Sequence, residues 1–383
     1  MILETTLMEI SREKMKKIAY IITLPDLGGA QSHLYEVMIN ISRYGYEPIL
    51  ITGRQGWLTE TLRGKYIEVH IVPELVREIS PIKDCMAVEH IQRILRQEQP
   101  VLVHCHSSKA GIIGRIAAHR CQMPVVFTAH GWAFTDGVMP IKRKLYAAIE
   151  RIVGYWTDKI VCVSEYDHRL GVRYLSNHKG KMRMIHNCIP DMPELVRDWQ
   201  NKPVGDEINV IVVARFSPPK KNIHILRALR TMLDAGMEIK VTFVGDGPQL
   251  EMAKAEARRL KLENKAVFLG SRTDVPKLLP EFDLFLLLSN WEGFPISILE
   301  AMRAGLPVIA SDVGGVNEAV SEKTGCILKN DDELPKVIRM FARNKKMFAE
   351  LGINARNVYL NNFTSQVMLT QINEVYSEVC SGR

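Results

Sequence analysis

Leu284-Phe285-Leu286-Leu287-Leu288 runs through Ser289-Asn290-Trp291-Glu292-Gly293-Phe294-Pro295 into Ile296-Ser297-Ile298-Leu299-Glu300-Ala301-Met302. The three pieces read as strand, loop and helix. Five apolar residues without polar alternation suit a strand buried on both faces, as in a parallel sheet. Ile298, Leu299 and Met302 then fall on one face of a helix. Pro295 fits the first helical turn, where its missing N–H costs nothing. Gly293, Phe294, Ile296 and Ser297, with Pro295 shaping the turn between them, put backbone donors at the positive end of a helix, a ready diphosphate site. Glu292 lies just before the helix and Glu300 about a turn and a half inside it. Two carboxylates so placed can grip different ends of one elongated, hydroxyl-rich ligand.

Outward from this stretch, short apolar runs alternate with longer amphipathic segments, the pattern of an α/β chain with parallel sheets. Strands are expected over 18–24, 47–52, 68–72, 101–104, 125–128, 159–163 and 182–185, with helices between them, such as 30–43 and 86–97. A polar, proline-containing stretch over 191–207 reads as an interdomain linker. A second series follows, with strands over 208–213, 240–244, 266–269, 284–288 and 307–310, and the tail from Asp332 to Cys380 has only helical pattern. The expected architecture is two Rossmann-like, doubly wound domains facing each other across a cleft: 16–190 and 208–364. A last helix over 365–383 could return to the first domain, and residues 1–15 read as a loose extension.

The chain has 383 residues, 46% hydrophobic and 24% charged, with a formal net charge of +7. That length can bury two cores, while so modest a charge gives no warrant for a nucleic-acid binder. Seven scattered cysteines with no C-x-x-C argue against a disulfide framework or a zinc knuckle and fit a reducing, cytoplasmic setting. The apolar run Ile18–Leu24 is too short to span a membrane.

Three further constellations stand at predicted strand ends. Val213-Ala214-Arg215-Phe216-Ser217-Pro218-Pro219-Lys220-Lys221-Asn222 places Arg215 and Lys221 six apart on a turn, able to clamp a pyrophosphate and neutralise a leaving group. Lys220 is an adjacent rival. Leu27-Gly28-Gly29-Ala30-Gln31 joins the first strand to its helix, and Gly28 and Gly29 let backbone amides approach a phosphate. Thr128-Ala129-His130-Gly131-Trp132 ends a strand in a histidine. His104-Cys105-His106 offers two imidazoles on one face without a third ligand nearby in sequence, so no metal is expected. Gly245-Asp246-Gly247-Pro248 and Ser311-Asp312-Val313-Gly314-Gly315 read as tight turns.

Glutamate, seven residues, glutamate, in the context EGFPISILEAMRAGLPVIASDVGG, resembles the retaining family-four glycosyltransferases of the GT-B fold. The likeness extends over nearly the whole chain from about Lys16, and His104 to Gly111 resembles the corresponding loop of bacterial polysaccharide-assembly transferases. The resemblance implies that Glu300 binds the ribose of a nucleotide, Glu292 the transferred sugar, Arg215 and Lys221 the diphosphate, and His130 the donor sugar. Gly293, Phe294, Pro295, Ile296 and Ser297 complete the implied donor site, with Gly28 and Gly29 from the first domain. This chain has Asn222 where the family more often has glycine.

The resemblance implies transfer of a hexose or N-acetylhexosamine, with retention, from a nucleotide diphosphate sugar (UDP-sugar favoured) to a glycan acceptor such as a polyprenyl-diphosphate-linked saccharide. The nucleotide sugar is then co-substrate, and no cofactor is expected. No D-x-D is present to hold a Mg²⁺ diphosphate. The alternative is a GT-B-fold nucleotide-sugar epimerase or hydrolase. A Rossmann oxidoreductase fits poorly because the glycine fingerprint is incomplete. Between Val101 and Pro190 stand 13 Lys/Arg against 5 Asp/Glu, with Lys142, Arg143, Lys144 and Arg151 in one helical stretch. Such a face suits either solvent or an anionic membrane surface, which would make the protein peripheral on the inner face of the plasma membrane.

Overall fold

A computed structural model describes residues 15–135 and 137–382. Apart from Met15, the extension read over 1–15 lies outside the described residues. The chain forms two compact units: one built from the segment up to Asn187 together with Ser365 onward, the other from Cys188–Thr364.

The first unit carries β1 (Lys16–Ile22), α1 (Gly29–Asn40), β2 (Tyr46–Thr52), α2 (Trp57–Arg63), β3 (Glu68–Ile71), α3 (Pro81–Glu98), β4 (Leu102–His106), α4 (Ser108–Arg120), β5 (Val125–Ala129), α5 (Pro140–Val153), β6 (Lys159–Cys162), α6 (Glu165–Tyr174) and β7 (Met182–Met184). Its seven strands are all parallel, in the order β3-β2-β1-β4-β5-β6-β7. β4 and β5 are buried along their whole length and β1 from Ile18 onward, as central strands of a parallel sheet covered on both faces must be. The helix expected from Met86 starts five residues earlier, with Pro81 in its first turn and Ser80 as its N-cap, the usual order of these two residues at a helix start.

The second unit carries β8 (Ile208–Val213), α7 (Asn222–Asp234), β9 (Ile239–Val244), α8 (Leu250–Arg259), β10 (Ala266–Phe268), α9 (Val275–Leu278), β11 (Leu284–Leu287), α10 (Ile296–Arg303), β12 (Val308–Ser311), α11 (Val316–Ala319), β13 (Gly325–Leu328), α12 (Leu334–Arg343) and α13 (Lys346–Asn362). Six parallel strands run in the order β10-β9-β8-β11-β12-β13. The edge strand β13 was absent from the sequence reading, because four residues, Gly325-Cys326-Ile327-Leu328, carry too little period to register.

Residues 191–207, read as an interdomain linker, instead pack into the second unit. Arg197 Nη2 donates to Asp283 Oδ1 at 2.6 Å with both side chains buried, and Trp199 Nε1 donates to the Gly305 carbonyl at 3.0 Å. The final helix α14 (Ser365–Ser381) belongs to the first unit. Its Tyr376 hydroxyl meets His104 Nδ1 at 2.6 Å and donates to the Tyr20 hydroxyl at 3.2 Å. Among the described residues no helix is long and apolar enough to cross a membrane.

Candidate active site

In an open parallel sheet the chain leaves the centre first one way, then the other, and the two strands on either side of that reversal splay their following loops apart. In the second unit the reversal falls between β8 and β11. The Arg215–Lys221 loop follows β8 and the Glu292 loop follows β11, so the topology itself sets these two constellations side by side. Backbone bonds stitch them together: Lys221 N–H donates to Leu288 O at 2.9 Å and Asn290 N–H to Pro219 O at 3.0 Å. On the far side Gly315 N–H donates to Gly293 O at 2.9 Å. Gly314 there has φ +58, and a β-carbon on it would come within 1.8 Å of the Glu292 carbonyl. Only glycine allows that approach.

α10 begins at Ile296 with Pro295 as its N-cap. Pro295 thus stands one residue before the helical turn in which the sequence placed it. The reason is its ψ of 120, extended backbone that turns the chain into the helix. Ile296 and Ser297 fall in the first turn, whose amides an intrahelical ladder leaves open. Phe294 is buried and its ring packs at 5.4 Å on Phe363, which fixes the loop. Glu300, half-buried in the middle of α10, has no hydrogen-bond donor among the described residues. Burial pushes its carboxyl above the usual carboxylate range, offset in part by the Arg303 guanidinium. It is an acceptor held without a protein donor.

Glu292, by contrast, is paired with Lys220 Nζ. Lys221 Nζ bonds Asp331 Oδ2 at 2.6 Å, and Ser311 Oγ donates to Asp331 Oδ1 at 2.6 Å. The two adjacent lysines that the sequence left as rivals therefore sit in different environments. Lys220 serves the Glu292 loop. Lys221 borders a polar cavity of ≈ 340 Å³, walled also by Ser289, Ser311, Asp312 and Asp331. Arg215 is exposed, and no acid pairs with its guanidinium among the described residues. Asp331 is not recognisable from local sequence as the partner of Lys221, since 110 residues separate them.

In the first unit the reversal lies between β1 and β4. Gly28 caps α1 directly after β1, with Gly29 as its first helical residue. Thr23 Oγ1 lies 2.9 Å from Ser107 Oγ and accepts from Ala110 N–H at 3.0 Å, so the two loops are tied together here as well. β4 runs two residues beyond its expected end and carries His106 with it. His106 Nδ1 lies 3.0 Å from His130 Nε2, and the His33 ring meets His130 edge-on at 4.8 Å. The sequence reading found no third imidazole beside His104 and His106. The fold supplies His33 from α1 and His130 from the loop after β5, while His104 turns away to Tyr376 and to Thr128 Oγ1 at 2.7 Å.

His33, His106 and His130 present nitrogens within 4.8 Å of one another. Burial drives His104, His106 and His130 well below the ordinary 6.5 and His33 to about 4, where the Asn187 side chain opposes the fall. The rings are therefore neutral near pH 7, the form that can either ligate a metal or donate and accept hydrogen bonds. His106 Nε2 and His130 Nδ1 are buried without a hydrogen-bond partner. A ligating imidazole ordinarily anchors its second nitrogen on a carboxylate or carbonyl, and these two have no such anchor. Whichever of the two donates across the 3.0 Å contact, the pair leaves one donor and one acceptor open, which suits a hydroxyl ligand.

A family profile, "Glycosyltransferase Family 4", matches residues 27–191, and a second, "Glycosyl transferases group 1", matches residues 196–358. The chain belongs to the glycosyltransferases that join these two domains. It is 29% identical over 377 residues to an Escherichia coli UDP-Gal:alpha-D-GlcNAc-diphosphoundecaprenol alpha-1,3-galactosyltransferase, covering 95% of this chain and 97% of that one. It is 27% identical to the Escherichia coli O-antigen biosynthesis glycosyltransferase WbnH, covering 92% and 98%. Among solved structures, Anabaena HepE in complex with UDP-glucose superposes with a TM-score of 0.81 at 21% identity, over 95% of this chain and all of that one. That likeness fixes the fold as the GT-B pairing of two Rossmann-like domains. In this glycosyltransferase the two reversal points carry different chemistry: carboxylates and cations in the second unit, neutral imidazoles in the first.

Proposed function

We propose that this glycosyltransferase moves a hexose or N-acetylhexosamine from a UDP-sugar, with retention, to a polyprenyl-diphosphate-linked saccharide in surface-polysaccharide assembly. The observation that carries the reading is Glu300. A carboxylate whose burial raises its proton affinity and which lacks a protein donor gains most from a ligand bearing paired hydroxyls, and a ribose is such a ligand. The α10 amides and the Arg215 guanidinium supply positive potential for the diphosphate, and Lys221 is released to it by exchanging Asp331 for phosphate. Glu292 and His130 hold sugar hydroxyls. The UDP-sugar and lipid-linked acceptor are supported by the Escherichia coli relative, whose donor is UDP-Gal and whose acceptor is a GlcNAc-diphosphoundecaprenol.

In the transfer the bond from C1 of the sugar to the diphosphate oxygen breaks and the acceptor hydroxyl oxygen bonds C1 from the same face. The hydroxyl proton passes to the departing phosphate. Cationic side chains and helix amides stabilise that leaving group, the task a metal ion performs in other transferases. The test is incubation of the protein with UDP-hexoses and UDP-N-acetylhexosamines plus a short-chain polyprenyl-diphosphate GlcNAc, followed by NMR of the product. An α-linked product formed equally well in EDTA supports the reading. An inverted linkage or strict metal dependence overturns the mechanism, and turnover of the donor without acceptor points to an epimerase or hydrolase.

A further inference from the structure

α5 faces the wrong way for a helix of a globular protein. Its inner side is anchored: Ala147, Glu150 and Val153 are buried, and Glu150 accepts from Arg115 Nη2 at 2.6 Å. Arg115 is itself fully buried, donates Nε–H to the Gly111 carbonyl at 2.6 Å and lies 4.1 Å over the Phe127 ring. The opposite side is then held toward solvent, where polar residues belong. Instead it carries Ile141, Leu145, Ala148 and Ile152, spaced four, three and four apart and so aligned in one row. Ile141 is 79% exposed, Leu145 56% and Ile152 58%. Met139 and Tyr155 extend the row at its two ends, both more than half exposed.

Charge is arranged around this row. Lys142, Lys144 and Arg151 are exposed along its flanks, whereas Glu150, the one acidic residue between Met139 and Trp156, points inward to Arg115. A second apolar cluster, Ile79, Ile82 and Met86, surrounds the exposed Lys83 at the start of α3. α4 packs against both α3 and α5, and strand order puts all three helices on one face of the sheet. α3 and α5 also both start at the carboxyl edge of the strands. Eight of the 15 large apolar side chains exposed among the described residues belong to these two clusters, a concentration that isolated surface apolar residues do not show.

We infer that the outward row of α5, with the start of α3 beside it, is a docking face for an anionic lipid bilayer. An apolar row rimmed by lysine and arginine, with no outward acid on α5 among the described residues and with Arg77 and Lys83 exposed beside the single exposed acid Glu78 at the start of α3, matches the layering of acyl chain beneath phosphate in a membrane surface. The inference rests on the proposed acceptor, whose polyprenyl chain keeps its diphosphate at such a surface. The face brings the carboxyl edge of the first unit, with its open imidazole nitrogens, down to that level.

The test is co-sedimentation of the full chain with phosphatidylethanolamine–phosphatidylglycerol vesicles and with pure phosphatidylcholine vesicles, without donor or acceptor. Wild type is expected to bind the anionic vesicles at least about tenfold better, and more weakly as salt rises. The triple variant Ile141→Ser/Leu145→Ser/Ile152→Ser loses that binding, and Lys142→Gln/Lys144→Gln/Arg151→Gln removes the preference for anionic lipid. Both keep the wild-type thermal shift with UDP, which shows that they fold. A Leu145→Trp variant should show a blue-shifted emission on vesicles. Wild type that stays in the supernatant, or a serine triple that binds as wild type does, overturns the inference. So does a wild-type dimer that the serine triple dissociates with no vesicle binding, since a second copy would then cover the face. Vesicle binding without transfer to any lipid-linked acceptor leaves the docking face standing and removes the acceptor reading.

Discussion

The two units solve one topological problem with opposite chemistry. Each is a parallel sheet whose order reverses between two central strands, β1 and β4 in one, β8 and β11 in the other, and each gathers its candidate ligand residues at that reversal. In the second unit these residues are ionic: Lys220 on Glu292, Lys221 on Asp331, and Glu300 without a hydrogen-bonded partner among the described residues but within the field of Arg303. In the first they are imidazoles, buried and held neutral. Strand order fixes where a ligand can sit, and loop residues fix which part of it they can recognise. A diphosphate suits the charged reversal, and hydroxyls suit the neutral one.

The largest expected effect breaks the comparison at the buried Arg115–Glu150 pair of the first unit. Arg115→Ala strands Glu150 as a buried carboxylate and should cost the first unit about 3–5 kcal/mol, read by urea unfolding, whereas the UDP-induced thermal shift of the remaining folded protein persists. If UDP binding is lost together with stability, the two units do not act independently in this respect. Next comes Glu300→Gln, expected to lower kcat/KM by about 10²-fold through lost charged hydrogen bonds to the nucleotide. It should not lower the melting temperature. Because the folded carboxyl holds its proton more tightly than the unfolded one, ionising it costs stability at neutral pH, and that cost disappears once pH falls below the ordinary 4.5. Glu300→Gln is therefore as stable as wild type or more so at pH 7, with the difference closing in acid. A clear loss of stability at pH 7 would assign Glu300 a structural role instead.

Acid itself should separate the units. The buried imidazoles of the first unit take up protons in the unfolded chain below the ordinary 6.5 but resist doing so when folded. Stability then falls as pH drops from 6.5 toward 4, by up to about 1.4 kcal/mol per pH unit for each such ring. Unfolding followed through Trp132, packed among these strands, should show this dependence, and replacement of His106 by phenylalanine should flatten it. The smallest effect concerns the paired lysines. Lys221→Ala is expected to weaken UDP-sugar binding about tenfold, the worth of a charged hydrogen bond, and Lys220→Ala less than that. The reverse ranking in a titration would move the diphosphate to Lys220.

The charged reversal was legible in the sequence except for Asp331, and the neutral one only in part, through Gly28, Gly29 and His130. An unbroken apolar strand followed by Gly293, Pro295 and a helix announces its own geometry, and β8 begins and ends where its residues change character at Ile208 and Val213. His33 gives no such signal. It is one histidine in a helix whose spacing explains it as a core residue, and only the crossing of α1 over β4 makes it the neighbour of His106. The same holds for Arg197 and Trp199, whose proline-flanked surroundings read as linker because their partners, Asp283 and Gly305, are far along the chain. Local period reports burial within an element. It is blind to pairs that topology creates.

One consequence concerns the order in which the molecule can be made. Tyr20 and Tyr376 share a hydroxyl contact across 356 residues, and everything from Cys188 to Thr364 forms the other unit. On a ribosome, the first-made strands must wait through the synthesis of an entire second domain before α14 emerges to cover them. The second unit, continuous in the chain, can finish folding first. A chain truncated after Thr364 and released should therefore protect Cys326 from protease while leaving the Tyr20 strand open to attack.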